Sequence, residues 1–401
     1  MVGRPVNGLR GLADLGELEG LPVIVRADLN VPIDEEQLII DDARIVAAAT
    51  TIRALMDGGA FVIVLAHLGR PGGRRVVPQA SLLPVAERLS ALVGSLVAHA
   101  ADTVGPLARA SILNLRAGDA VLLENVRFEA GEDADDDVLA ALLAAPGRAF
   151  VFDAFGSAHR GQASTTGIAR HLPAVAGLVV AHEVAALDEL RERGVTRGVV
   201  VAGGAKAPEK LPALERLAGT AEAILVGGAL AHVFIARRGG ELGASIVDRS
   251  ALTAAARVEA AAAASGCEIL VPTDAVSTDG LTTDARIAVE AADRIGDGRI
   301  ALDIGPETAA RYAERIRGAA SVVWDGPPGA FEMEPFRAGT DALIAAVADA
   351  GGTVVVGGGD TTSALRGAGR AEAVAYLSTG GAAMLDLLAG RELPALEGLC
   401  T

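Results

Sequence analysis

Lysine is almost missing from this chain. Of the 35 basic side chains in 401 residues, only Lys206 and Lys210 are lysine; the other 33 are arginine. Cysteine is as scarce, with Cys267 and Cys400 alone, so no disulfide framework is implied. Roughly 18 consecutive apolar residues are needed to cross a bilayer, and glycine, histidine or charge interrupts every candidate run, which excludes a spanning helix and a membrane partner. The first twenty residues lack the apolar core of a signal peptide. A soluble, cytoplasmic protein is expected. Positive charge is also short: 35 Lys and Arg face 51 Asp and Glu, a net charge of −16. That balance argues against nucleic-acid binding, which needs a basic face. It also means that a small anionic ligand needs a local cluster of cations.

What the chain does contain is length, apolar residues and glycine. Its 401 residues fit two domains better than one core. Apolar β-branched runs recur, each ending at a polar or glycine residue: 21–30, 60–69, 120–128 and 148–156, then 198–204, 223–228, 267–274, 301–306, 322–327 and 353–360. Continuous apolar runs of this length suit strands buried on both faces. Between them lie segments of helical spacing, such as 42–57, 251–265 and 335–350. Alternation of strand and helix predicts an α/β fold of two doubly wound, mainly parallel-sheet, Rossmann-like domains. The series breaks at 176–194, which reads as an amphipathic helix with no strand before it. This segment is expected to be the hinge helix between a first domain, 1–175, and a second, 195–384.

In open α/β sheets, ligands bind beyond the carboxyl ends of the strands. In the first half those ends carry Asp28 and Asn30, His67 and Arg70, Arg127, and His159 with Arg160; Arg44 opens the following helix. Arginine binds phosphate and carboxylate bidentately, so converging arginines would hold a small ligand carrying both groups. The plain alternative is that each arginine is a solvated loop charge and that Asp28 caps a turn. In the second half, "GGGDTTSAL" follows a strand and opens a helix. Glycines admit phosphates to a helix N-terminus, and Asp360 is placed to ligate a nucleotide's Mg²⁺, or else simply caps the helix. A P-loop and a dinucleotide G-x-G-x-x-G at a strand–helix junction are both missing. In "GGAKAPEK", a helix starting near Ala205 would put Lys206 and Lys210 on one face. The two lysines are either remnants of codon drift or point charges that a rigid guanidinium fork cannot replace.

Taken in order, "RADLNVP", "AHLGRP", "ENVRFEAGE", "FDAFGSAHR", "GGAKAPEK", "GGELGASIV", "LDIGPET", "VVWDGPPGAFE", "VVGGGDTT" and "LSTGG" resemble phosphoglycerate kinase across nearly the whole chain. The resemblance implies a two-lobed monomer that moves a phosphoryl group between 1,3-bisphosphoglycerate with ADP and 3-phosphoglycerate with ATP, in glycolysis and gluconeogenesis, after the lobes close. It implies a phosphoglycerate site of Asp28, Leu29, Asn30, Arg44, His67, Leu68, Gly69, Arg70, Arg127 and Arg160. It implies a nucleotide site of Gly204, Lys206, Lys210, Glu332 on the ribose, and Gly358, Gly359, Asp360 and Thr361, with Mg²⁺ on Asp360. Arg44, Lys206 and Lys210 become the catalytic cations, and the tail, 385–401, returns to the first domain. Three places depart from the family pattern: Asp325 replaces the usual Asn of "VVWNGP", "GGALAH" (227–232) replaces "GGGMAF", and "STGGAAM" (378–384) replaces "STGGGAS". An added carboxylate and lost glycines there are expected to weaken phosphate binding. The competing readings are a divergent paralogue that binds or senses phosphoglycerate or nucleotide with little or no turnover, and a nicotinamide-dependent oxidoreductase on the same layers.

Overall fold

In the computed structural model, residues 8–73, 77–282 and 285–400 are described. The first seven positions, where the expected first domain and the N-terminal reading begin, and Thr401 lie outside the described residues. Two units form: one runs to Ala185 and takes the chain back from Glu392, and the other is Ala186–Arg391.

The first unit holds six strands: β1 (Pro22–Ala27), β2 (Phe61–Leu65), β3 (Val97–Ala100), β4 (Ala120–Leu123), β5 (Ala149–Asp153) and β6 (Ala174–Ala176). They form one sheet in the order β3-β4-β2-β1-β5-β6, every pair parallel. β1 lies at its centre, Val23 opposite Val62 on one side and Ala149 on the other. Val23 and Val25 enter a core shared with Ile45, Ile52, Leu55 and Leu89 from the covering helices Ala43–Asp57 and Leu83–Val93. Ile24 points to the opposite face and is also fully buried. Burial on both faces is why these strands read as unbroken apolar runs. The returning tail binds this unit through Arg10 N to Leu399 O (2.8 Å) and Ala395 N to Ala158 O (3.2 Å).

The second unit carries β7 (Val199–Ala202), β8 (Ala223–Val226), β9 (Glu241–Leu242), β10 (Glu268–Leu270), β11 (Asp274–Thr278), β12 (Ile287–Ala291), β13 (Arg294–Ile295), β14 (Ile300–Ile304), β15 (Ser321–Asp325), β16 (Thr353–Gly357) and β17 (Tyr376–Leu377). Its main sheet is again parallel, in the order β10-β8-β7-β15-β16-β17. Trp324, fully buried, anchors a core with Tyr312, Leu343 and Val356.

Two details differ from the sequence expectation. The hinge segment does have a strand before it: β6, three residues long, precedes the helix Leu178–Glu192. "AVA" is too short and too alanine-rich to register as a strand run. The run 301–306 is not another parallel strand; as β14 it pairs antiparallel with β11, which also pairs antiparallel with β12. β12 alternates exposed and half-buried positions, a pattern that a search for continuous apolar runs passes over. The expected helices form as Ala43–Asp57, Leu252–Ser265 and Ala338–Ala348. No helix among the described residues is long and apolar enough to cross a membrane.

Candidate active site

Both parallel sheets reverse their winding direction once. In the first unit the reversal falls between β1 and β5, and in the second between β7 and β15. At such a switch point adjacent loops diverge and open a crevice at the strand ends. The residues singled out from sequence gather at these two places.

In the first unit, β1 runs out at Ala27, so Asp28, Leu29 and Asn30 form the next loop. Leu29 and Leu68 turn their side chains into the core and offer only backbone outward. Arg44, in the first turn of its helix, lies 3.2 Å from the Asp28 carboxylate and donates to Asn30 O at 3.0 Å. Asn30 Oδ1 accepts from Gly69 N (2.8 Å), and Arg127 Nη1 donates to Gly69 O (2.8 Å). Gly69 has a φ of +62°, the left-handed region where a side chain is strained. The His67–Arg70 loop is therefore tied to two other strand ends through its glycine. Arg160, half-buried, donates from Nε to the His159 ring at 3.0 Å, and Arg70 is exposed.

His67 is buried, and the surrounding charge decides its state. Burial, then Arg26, Arg127, Arg44 and Arg160, hold its pKa well below the usual histidine range, so it is neutral at pH 7. Arg26 Nη2 lies 2.9 Å from His67 Nδ1. A guanidinium only donates, so Nδ1 is the acceptor and Nε2 carries the proton. His67 thus presents a neutral N–H donor among cations. Burial likewise pushes Arg127 down to about 10, with Asp133 opposing and Arg160, Arg26 and Arg70 adding to the fall. Crowded, partly desolvated cations of this kind are stabilised by an anion carrying more than one negative charge.

The supports of this site were not singled out from the sequence. Arg26 is wholly buried within β1; its Nε donates to Ser164 Oγ (2.8 Å), which in turn donates to Glu132 Oε1 (2.6 Å). Buried Asn125 donates to Leu68 O (2.6 Å) and Ala80 O (2.9 Å) and receives Arg127 N (3.1 Å). The available signal was a charge inside an apolar strand, "VIVRAD". Its partners, more than a hundred residues away, carried no signal.

In the second unit, Gly203 and Gly204 leave β7 toward Pro327, Gly204 N donating to its carbonyl at 2.9 Å. The helix begins at Ala207, not near Ala205, and Lys206 occupies the non-helical position before it (φ −104°, ψ 67°). Lys206 and Lys210 therefore do not share a helix face. Pro208 confines the start, because proline fits only a helix's first turn without losing a hydrogen bond. Lys206 is exposed, whereas Lys210 is buried. Lys210 Nζ donates to Gly203 O (2.8 Å) and Asp325 O (2.9 Å). It also lies 2.9 Å from Asp325 Oδ2, out of line for a hydrogen bond, so this contact is an ion pair by proximity. The added carboxylate thus faces a cation. Gly326 closes this nest: its φ is +94°, and a Cβ there would stand 2.5 Å from Lys210 Nζ.

Gly358 precedes the helix Gly359–Gly367, so the glycine rather than Asp360 holds the cap position. A Cβ on Gly358 would approach Asp325 Oδ1 to 2.4 Å. Thr361 is buried and its hydroxyl accepts from Gly326 N (2.8 Å), joining the glycine turn to the Lys210 nest. Asp360 is exposed in the first helical turn. Near it, Glu332 is held above the usual carboxylate range by partial burial, with Asp360 adding to the rise. One exposed carboxylate at a glycine turn fits Mg²⁺, which takes one or two carboxylates together with phosphate oxygens and water. A cavity of about 280 Å³ is lined by Gly204, Glu332 and Asp360 together with the apolar side chains of Ile235, Ile246 and Leu302.

The model of the phosphoglycerate kinase family matches residues 12–391. Phosphoglycerate kinase of Roseiflexus castenholzii is 43% identical over 382 residues, covering 95% of this chain and 96% of the relative. That of Bifidobacterium longum is 44% identical over 402 residues, covering 98% and 100%. Two solved phosphoglycerate kinases share the architecture, each covering 98% of both chains: that of Coxiella burnetii at a TM-score of 0.71 and 37% identity, and that of Pyrococcus horikoshii OT3 at 0.79 and 30%. With this likeness running end to end through both crevices, the chain belongs to the phosphoglycerate kinase family.

Proposed function

We propose that the chain carries the activity its relatives are named for: reversible phosphoryl transfer between ATP and the carboxylate of 3-phosphoglycerate, giving ADP and 1,3-bisphosphoglycerate. The carrying observation is the cluster of Arg26, Arg44, Arg127 and Arg160 around neutral His67 in a chain of net charge −16. A ligand with a phosphate at one end and a carboxylate at the other suits it. Arg127, Arg160, Arg70 and the His67 Nε2–H bind the phosphate, and Asp28 and Asn30 orient the hydroxyl. Arg44 faces the carboxylate that attacks the γ-phosphorus. As the new acyl–phosphate bond forms, the bond to the ADP oxygen breaks and its electron pair leaves with ADP.

On the nucleotide side, Gly204 and the Gly358–Gly359 turn approach the phosphates, Glu332 accepts from ribose, and Thr361 holds the turn. Lys206 and Lys210 supply point charges. Asp360 would hold Mg²⁺, which would supply charge neutralisation to the phosphates. Little covalent chemistry falls to the protein; positioning and charge stabilisation dominate phosphoryl transfer. The substrates belong to different units, so closure that excludes water precedes transfer and protects the acyl phosphate. We further infer a cytoplasmic monomer acting on small molecules, not nucleic acid or membrane. A coupled assay with 3-phosphoglycerate and MgATP tests the reading. Turnover abolished by chelation is expected. Binding of both substrates without turnover overturns the kinase reading, and turnover that survives chelation overturns the role of Mg²⁺.

A further inference from the structure

His232 lies in the wall of the cavity of the second unit. It is on the helix Gly228–Arg237, one turn before Ile235, and its Nδ1 is 2.9 Å from Ile246 O. Ile235 and Ile246 also line the cavity. A carbonyl oxygen only accepts, so Nδ1 must carry a hydrogen. Burial lowers the pKa of His232 below the usual histidine value, with the Ile246 carbonyl opposing, so the ring is neutral at pH 7. Its second nitrogen, Nε2, is then a lone-pair acceptor, and the Ile246 carbonyl is the ring's hydrogen-bond partner among the described residues. A largely apolar wall with a fixed acceptor is a selective device: it suits a flat ring bearing an N–H donor and disfavours one that presents oxygen at the same place.

We propose that His232 reads the nucleobase, its Nε2 accepting a hydrogen bond from the exocyclic amino group of a 6-aminopurine. This rests on the nucleotide reading of the cavity given above and adds to it the class of base. A 6-oxopurine puts an acceptor against the acceptor, and both lone pairs stay unpaired. Sites that hydrogen-bond a substrate group reject analogues lacking it far more strongly than apolar pockets reject a size difference. Because His232 is half-buried and water can partly compensate, about tenfold discrimination is expected, well below what a fully enclosed hydrogen-bonding site reaches.

The test compares ATP with ITP, which differ in this group, as kcat/KM in the kinase assay, and ADP with IDP as dissociation constants by calorimetry, which needs no turnover. Wild type is expected to favour the amino base about tenfold in both readouts. His232→Phe, which keeps the ring's bulk but has no acceptor, is expected to reduce both ratios to within about threefold. His232→Gln, whose amide can rotate to donate or accept, should do the same and serves if the Phe variant does not fold. Ratios unchanged in the variants, or absent in wild type while ADP still binds, overturn the role of His232 and leave the nucleotide reading intact. Failure of wild type to bind either nucleotide overturns both.

Discussion

Lys210 is hemmed in by two carbonyls, a carboxylate and the Cα of Gly326. An ammonium fits this nest; a guanidinium is wider and carries its donors in a rigid fork. Lys210→Arg is therefore expected to lower turnover by about a hundredfold or more, the scale of losing a charge-stabilising donor. Since Lys210 is buried, the substitution should also lower the unfolding midpoint. Lys206→Arg, at an exposed position before the helix, should be milder on both counts. Near-normal turnover of Lys210→Arg would make the two lysines survivors of codon drift. Asp325 tests the same nest from the other side. Removing one partner of a buried ion pair typically costs about 3 kcal/mol, and Asn keeps the shape, so Asp325→Asn should lose at most that. Lys210, held then by the two carbonyls but facing no carboxylate, should bind nucleotide phosphate more readily. The expected pattern is a lower melting midpoint without ligand and a larger upward shift with MgADP. Fluorescence of Trp324, the single tryptophan and the neighbour of Asp325, reports both. No change in either would show that the pair contributes nothing.

The helix Leu178–Glu192 starts on Asp153. Asp153 Oδ1 accepts from Val179 N (2.9 Å) and Val180 N (3.2 Å), while Oδ2 is buried without a hydrogen-bond partner. Burial lifts its pKa to about 7 despite the N–H donors and Thr51. The unfolded carboxyl titrates near 3.9. Between these values the folded chain holds a proton that the unfolded chain has released, so folding stability falls as pH rises from about 4 to about 7. Asp153→Asn keeps an acceptor for both backbone groups and stays neutral. Its stability relative to wild type should therefore grow across that window and level off above it. Trp324 lies in the other unit, so amide exchange of the first helical turn is the appropriate probe. A difference independent of pH would mean that Asp153 is ionised in the folded chain throughout.

For the whole molecule, each half-site is assembled within one unit, so each ligand should stabilise its own. A ligand that binds only the folded state stabilises it by mass action, roughly 2.7 kcal/mol at a hundredfold excess over Kd. Hydrogen exchange with 3-phosphoglycerate alone should slow around residues 26–30 and 66–70. With MgADP alone it should slow around 203–210 and 358–362. Protection of the second set by 3-phosphoglycerate alone would contradict this division of the substrates.

Much of this organisation could be read from the chain because it rests on local chemistry. Strands buried on both faces must be apolar throughout, helices must repeat near 3.6 residues, and left-handed turns at Gly69 and Gly358 need glycine. Strand ends follow from where the apolar runs stop, and that placed Asp28, His67, Arg127 and Asp360. Long-range pairing left no such mark. Nothing local joins Arg26 to Ser164 and Glu132, and nothing in "VVWDGP" shows that its aspartate meets Lys210, 115 residues earlier. The sequence by itself determined the parallel layers, the cationic character of one crevice and the glycine-rich character of the other. Only the tertiary structure decided that His67 is neutral, which of its nitrogens is protonated, and that Lys210 is buried rather than aligned with Lys206. Those properties depend on desolvation and on charges brought close by the fold, and neither exists until distant segments pack together.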